Sequence, residues 1–392
     1  MKRRDPRAPV NKEAQHRLRS AAFRGRPFWS RSERWRVLSL ALLAFLSASA
    51  SAQGPSAEPE RVSVRDFKEI YAATEVTRAV DRGLNYLAQS QLADGSWLSP
   101  MGKNTGVVSL ATLALLAAGE EPGRGKFGGA VNRAIAFLLR HQKDGLLVTA
   151  DTSHGPMYEH GITTLLLGEV LGMVNSRRPG FERIWRAHRT ATNLILRAQG
   201  VPRDPTNTGG WRYNPTSTDA DLSVTGWEIL ALRSAQSAGL EVPKRSIGEA
   251  VLYVKRCSDK ATGGFGYMPG SNPNVARTGT GILALELCGD FQSPEALRGG
   301  AWLIKNPPEW KGPFFYYALY YSTQATYQLG GPYWEAWRPL SEGVLLEHQD
   351  PNGSWPPPPN ETHERQAGLP YTTAMAILSL TVDYRYLPIY QR

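Results

Sequence analysis

One motif constrains the fold more than any other part of the chain. It is Arg82–Trp97, RGLNYLAQSQLADGSW, in which Arg82, Gly83, Tyr86, Leu87, Gln91, Gly95 and Trp97 fall at the spacing R-G-x2-Y-L-x3-Q-x3-G-x-W. Leu84 and Leu87 lie on one helical face. Asp94-Gly95 is a turn signal that no helix interior would choose. Trp97, just past the turn, offers a large apolar surface. A second copy, Gly343–Trp355 (GVLLEHQDPNGSW), stands near the other end of the sequence. Weaker versions lie between: Gly209-Gly210-Trp211, Gly263-Gly264-Phe265 and Gly312-Pro313-Phe314, with Lys143-Asp144-Gly145 keeping the turn without the aromatic.

A recurrence of roughly 40–60 residues signals stacked helical hairpins. The helical periodicity predicts six pairs: 75–89 with 105–118, 130–142 with 158–173, 184–199 with 221–238, 246–257 with 276–288, 294–305 with 314–329, and 334–348 with 371–381. The first member of each pair carries charge on one face and the second is apolar almost all round, so the second should be buried. Two concentric rings of six helices satisfy both patterns, and closing a ring would make the first and last hairpins neighbours.

The formal charge of +10 is unevenly spread. Residues 1–36 hold 12 Lys and Arg against 3 Asp and Glu, while residues 37–52 are uncharged, so the rest of the chain is near neutral. A nucleic-acid partner loses its main support. Val37–Leu46 is a short apolar run after a basic region, and Ala50-Ser51-Ala52 precedes Gln53. That order reads as a secretory signal over residues 1–52. The alternative is an uncleaved membrane anchor. Residues 53–69 read as a linker, 70–385 as the repeat domain and 386–392 as a tail. Cys257 and Cys288 should sit at opposite ends of antiparallel helices, roughly 20 Å apart, too far for a disulfide.

The hairpins and their Gln…Gly-x-Trp punctuation resemble the prenyltransferase and squalene-cyclase repeat family. The resemblance covers roughly residues 70–385 and implies an all-α, α6–α6 toroid whose inner helices surround a cavity open at their N-terminal ends. It also implies that the motif's Gln caps a helix end and that its Trp stacks on the neighbouring turn. The squalene-hopene-type cyclases carry D-x-D-D before an inner helix. Here Asp219-Ala220-Asp221-Leu222 is a partial match, with Leu222 in place of the final Asp. The Asp-x-Cys of protein prenyltransferases and the Gly-Cys-Gly-Glu-Gln of thioester domains are both absent.

On that fold the inner-helix starts converge. Asp221 and Asp219 are the candidate catalytic acids, against the plainer reading of Asp221 as a helix N-cap. Tyr158, Glu159, His160, Arg277, Tyr316, Tyr317 and Tyr371 are the candidate ligand-binding residues, and His363 is placed to reach the same mouth. His154, Glu159 and His160 have poor spacing for a helical zinc site; no metal and no cofactor is expected. The expected partner is an apolar small molecule or an unidentified protein, with peripheral membrane association also open. Three functions fit: a polyprenyl or triterpenoid enzyme, a non-catalytic toroid binding a lipid, peptide or protein, and a polysaccharide lyase or hydrolase. The last requires a groove lined with His, Tyr and Arg.

Overall fold

The computed structural model describes residues 74–391 apart from Asp151 and Ser153. The proposed leader, the whole linker and the first four residues of the repeat domain therefore lie outside the described residues. The helices form the six expected pairs, each an outer helix followed by an inner one: α1 (Glu75–Ser90) and α2 (Thr105–Ala117); α3 (Gly128–Arg140) and α4 (Met157–Met173); α5 (Phe181–Gln199) and α6 (Leu222–Ser237); α7 (Lys244–Arg256) and α8 (Val275–Leu287); α9 (Pro294–Lys305) and α10 (Phe315–Leu329). The last pair is α11 (Gly331–Glu347) and α13 (Leu369–Leu380), with a short helix, α12 (Thr362–Ala367), between them. A two-stranded ribbon, Gln142–Lys143 with Leu146–Leu147, follows α3.

Local chemistry sets the helix starts. Asn104, Asp221 and Asn274 cap α2, α6 and α8, each accepting a hydrogen bond from a backbone N–H of the first turn. Every residue of α2 is buried, whereas α1 buries only Ala79, Val80, Gly83, Leu84 and Leu87. The inner helices pack in the cyclic order α2, α4, α6, α8, α10, α13 and back to α2, with α11 against α1 in the outer layer. Small residues permit this close ring. A Cβ on Gly279 of α8 would stand 2.6 Å from the Ser322 backbone nitrogen of α10. The Ser109 and Thr163 hydroxyls meet at 2.9 Å between α2 and α4.

The repeated motif is a clamp between successive outer helices. The Gln91 side-chain amide donates to the carbonyls of Gly95 (3.1 Å) and Ala130 (2.9 Å), tying the turn after α1 to α3. Gln199 does the same with Gly209 and Ser246, tying α5 to α7. Gln349 donates to Gly353 (3.0 Å) and Ala79 (2.8 Å), tying α11 back to α1 and closing the ring. Gly353 has φ +92°, and a Cβ there would lie 2.3 Å from the Arg82 carbonyl oxygen. The tryptophans lock the same turns from within: Trp97, Trp211 and Trp355 are fully buried and donate their indole N–H to Leu87, Ile195 and Leu345. The Gln thus joins two hairpins rather than only ending a helix. The fifth loop departs from the pattern: Phe314 adopts φ +54° and does not become a buried plug.

The end of the chain belongs to this body. Ile389 and Tyr390 are buried; the Ile389 N–H donates to Glu169 Oε2 (3.0 Å) and the Tyr390 and Tyr320 hydroxyls meet at 2.9 Å. Glu169 lies twelve residues into α4, about 18 Å along its axis, so residues 387–390 close the end opposite the inner-helix starts. Cys257 and Cys288 are free thiols. Among the described residues, no helix is long and apolar enough to cross a membrane.

Candidate functional site

A cavity of about 270 Å³ opens where the six inner helices begin. Each contributes near its N-terminus: Asn104 and Val107 from α2, Tyr158 and Glu159 from α4, Ser223 from α6, Arg277 from α8, Phe314 and Tyr317 from α10, and Tyr371 from α13. Leu110, Ile162 and Trp227, further along their helices, supply apolar wall. His154 enters from the loop before α4, and His363 and Glu364 from α12.

Of the sequence candidates, the structure brings Tyr158, Glu159, Arg277, Tyr317 and Tyr371 to this cavity together with His363. Glu159 is buried and accepts a hydrogen bond from the Asn104 amide at 2.9 Å. Three other candidates point elsewhere. His160 is wholly buried behind the wall, its Nδ1 accepting from the Leu147 N–H (3.2 Å) and its Nε2 beside the Ala191 carbonyl (3.2 Å). Burial pulls its pKa down to about 4, so the ring is neutral and structural. Tyr316 turns away to donate to the Pro356 carbonyl at 2.9 Å. Asp219 is 54% exposed on the outside of its loop, paired with Arg212 at 2.8 Å, so it is not placed to reach a ligand in the cavity.

Asp221 is fully buried and caps the start of α6. Its Oδ1 accepts from the Ser223 and Val224 backbone N–H groups (2.9 and 3.0 Å) and the Ser223 hydroxyl (2.5 Å). Its Oδ2 lies 3.3 Å from Arg212 Nε, an ion pair without hydrogen-bond alignment. Burial raises its pKa despite these partners. The Ser223 hydroxyl continues to the Tyr158 hydroxyl at 2.6 Å. Asp221 therefore stands one residue behind the cavity wall, reaching it only through Ser223 and Tyr158. As a cap it predicts a graded response: Asp221→Asn keeps an acceptor and destabilises less than Asp221→Ala, which loses about 1–2 kcal/mol. Equal losses in denaturant melts of the two variants would contradict the cap assignment.

A second carboxyl on the wall, besides Glu159, is Glu364, which the sequence reading missed. It is 2% exposed. Its Oε1 accepts from the Tyr317 N–H (3.0 Å), and neighbouring Glu361 accepts from the Phe314 N–H (3.0 Å); together they cap α10, which has no side-chain cap of its own. Its Oε2 is buried without a hydrogen-bond partner among the described residues. Burial first, and the nearby Glu361 charge, push its pKa up to about 8. Burial thus favours the protonated form of this wall carboxyl. Among the described residues no cluster of His, Cys, Asp and Glu is arranged to hold a metal ion.

No protein-family model and no curated protein matches the sequence. Solved structures do match in shape. A product-bound variant of type II terpene cyclase MstE from Scytonema, in complex with merosterolic acid A, superposes with TM-score 0.53 at 18% identity, covering 80% of this chain and 98% of that one. The apo form of the same enzyme gives TM-score 0.52 at 16% identity, covering 80% and 99%. A protein from Actinoplanes gives TM-score 0.50 at 18% identity, covering 79% and 99%. The ring of six hairpins and these superpositions agree: the chain has a terpenoid cyclase-like α6–α6 toroid fold.

Proposed function

We propose that this protein encloses the apolar chain of a polyprenyl ligand in the mouth cavity and acts on it by proton donation from Glu364. The observation that carries the reading is a buried carboxyl, with one oxygen lacking a hydrogen-bond partner among the described residues, on the wall of a cavity that has a polar rim and an interior of Leu110, Ile162, Trp227, Tyr317 and Tyr371. In the step, the Glu364 O–H bond breaks and its proton forms a C–H bond with an alkene carbon, using the alkene electron pair. The resulting carbocation lies among the faces of Trp227, Tyr317 and Tyr371 and returns a proton to the Glu364 carboxylate after rearrangement or ring closure. The reaction is balanced with no added reductant or oxidant. The shared fold with a terpene cyclase crystallised with product, and in another variant with geranylgeranyl dihydroxybenzoate, supports the same substrate class.

The volume narrows the choice. About 270 Å³ lies just below the ~300–1,000 Å³ of pockets that enclose drug-sized ligands. A short prenyl chain fits better than a whole triterpenoid. The rim does carry the His, Tyr and Arg side chains that a saccharide reading requires, but Leu110, Ile162 and Trp227 make the interior apolar, which favours a prenyl chain. Non-catalytic binding is the second reading, and one observation favours it: Glu364 also caps α10 through the Tyr317 N–H. Incubation with a farnesyl- or geranylgeranyl-substituted arene, followed by product analysis, separates the two. Cyclised or isomerised product from wild type and none from Glu364→Gln supports proton donation. Bound but unaltered ligand in both leaves a binding protein. Export with cleavage after Ala52 is part of the proposal, and N-terminal sequencing of the mature protein should begin at Gln53.

A further inference from the structure

Among the described residues, the arginines that find no partner are gathered on one outer helix. Residues 174–200, which are α5 and the loop leading into it, hold six arginines, no lysine and one acidic residue, Glu182. Only Arg186 is paired, with Glu182 at 3.6 Å. Arg177, Arg178, Arg183, Arg189 and Arg197 make no ion pair, hydrogen bond or ring contact among the described residues. No other described arginine is left so. Arg245, Arg298 and Arg338 meet carboxylates, Arg133, Arg140 and Arg203 donate to amide or carbonyl oxygens, and Arg277 lies over aromatic rings.

Helix phase makes these arginines a stripe. Arg183, Arg186, Arg189 and Arg197 fall within about 120° of one another at 3.6 residues per turn, over about 21 Å of axis. They are exposed, as are Thr190 and Asn193 between them. The opposite face of α5 is buried through Ala187, Ala191, Leu194, Ile195 and Ala198. At the start of α5 the stripe continues into an open depression of about 460 Å³, lined by Arg124, Arg177 and Arg178 with Asn175. No large hydrophobic side chain is exposed in residues 174–200.

These features narrow the kind of partner. A protein interface draws affinity from a desolvated apolar core, and an interfacial helix from apolar side chains that enter the bilayer; the stripe offers neither. Single-stranded nucleic acid needs exposed aromatic faces for its bases, whereas Phe181 and Trp185 stack on each other half-buried. A helix that reads a duplex enters the major groove, and α5 is held in the ring by its whole inner face. What remains is a row of planar oxyanion donors. From Arg183 to Arg186 to Arg189 they step about 4.5 Å along the axis, comparable with one sugar unit of an extended polysaccharide. We infer that the α5 stripe is a docking surface for a linear anionic polysaccharide, bearing sulfate or carboxylate groups, that binds along the outside of the ring and undergoes no chemistry there. This does not depend on the polyprenyl reading of the mouth cavity.

The test is equilibrium binding of the full-length protein to dextran sulfate, polygalacturonate, neutral dextran, a short DNA duplex and phosphatidylglycerol vesicles. Two charge-matched triple variants are compared with wild type. The stripe variant carries Arg183→Gln, Arg189→Gln and Arg197→Gln. The control carries Arg245→Gln, Arg298→Gln and Arg338→Gln, on α7, α9 and α11, each removing an arginine already paired with a glutamate. Both keep the basic residues 1–36, so their difference reads position rather than net charge. The stripe variant should melt as wild type does, having no polar partner to lose. An anionic polysaccharide should bind it at least about tenfold more weakly than wild type, the size of three exposed charge contacts, with the control within about twofold. The slope of log K against log salt should fall by about 2, at roughly 0.7 per charge. The probe with the larger loss, sulfated or carboxylated, names the anionic group, and neutral dextran should not bind. A larger stripe-dependent loss on the duplex or the vesicles than on either polysaccharide would overturn the assignment in favour of nucleic acid or a membrane surface. Equal losses in the two triple variants, no loss in the stripe variant, or no polysaccharide binding by wild type would overturn it outright.

Discussion

Trp355→Ala is expected to destabilise the protein by about 3–5 kcal/mol, the usual cost of emptying a large aromatic site in a core. Trp355 is fully buried, its ring fills the space above Gly83 of α1, and its indole N–H donates to the Leu345 carbonyl. The side chain sits at the junction where the last hairpin meets the first, so the surrounding helices cannot collapse into the void without moving the closure contacts of Gln349. Urea denaturation should show a lower midpoint, with a Tm reduced by roughly 5–10 °C. Trp97→Ala, at the equivalent place in the first repeat, should cost a similar amount. A loss under about 1 kcal/mol for either would mean that the motif does not clamp the ring.

Stability is expected to fall as pH rises from 6.5 to 8.5, with Glu364→Gln removing about 2 kcal/mol of that fall. Burial raises the pKa of Glu364 from 4.5 to about 8, that of Glu169 from 4.5 to about 7, and that of Glu228 well above 4.5. Over this window the unfolded carboxyls are already ionised while the folded ones still hold protons. The folded state binds more protons, so raising the pH favours unfolding. The loss is present in full once pH exceeds the folded pKa. His160 and His188 work in the other direction. Burial lowers each from 6.5 to about 4, so their contribution is lost as pH falls below about 7.5 and is nearly constant above it. Between pH 6.5 and 8.5 the two histidines offset only a small part of the slope set by the carboxyls. Glu364 alone accounts for about 2 kcal/mol at 1.36 kcal/mol per pKa unit. Chemical denaturation of wild type and Glu364→Gln at pH 6.5 and 8.5 checks this. A variant that loses as much stability as wild type would show that Glu364 does not hold a proton in the folded protein.

The toroid was legible because its signals are local and repeated. Gln91, Gly95 and Trp97 announce a stop and a plug within seven residues, and the same set recurs at Gln349, Gly353 and Trp355. The mouth was legible only as a set of helix starts. Which residue of each start faces inward depends on helix phase, and adjacent residues differ by about 100°. That is why Tyr317 lines the cavity while Tyr316 reaches Pro356, and why Glu159 lines it while His160 lies behind the wall. Asp219 and Asp221 both reach Arg212, but Asp219 lies in a bend and is 54% exposed, whereas Asp221 is buried and caps α6. Glu364 was illegible for a different reason. It sits on α12, a helix too short to show a period, and its partner Tyr317 is 47 residues away in sequence.

The bond from Gln349 to the Ala79 carbonyl joins residues 270 apart. The first hairpin thus cannot find its last neighbour until nearly all of the chain has been synthesised. Until then α1 presents an unpartnered flank, and the growing protein is an open arc of hairpins with two sticky ends. Closure of so distant a contact is slow relative to forming each hairpin, and the open arc is the species in which one molecule's last hairpin can meet another's first. Ring closure and end-to-end association are competing outcomes of the same surface, and their ratio during refolding should depend on protein concentration.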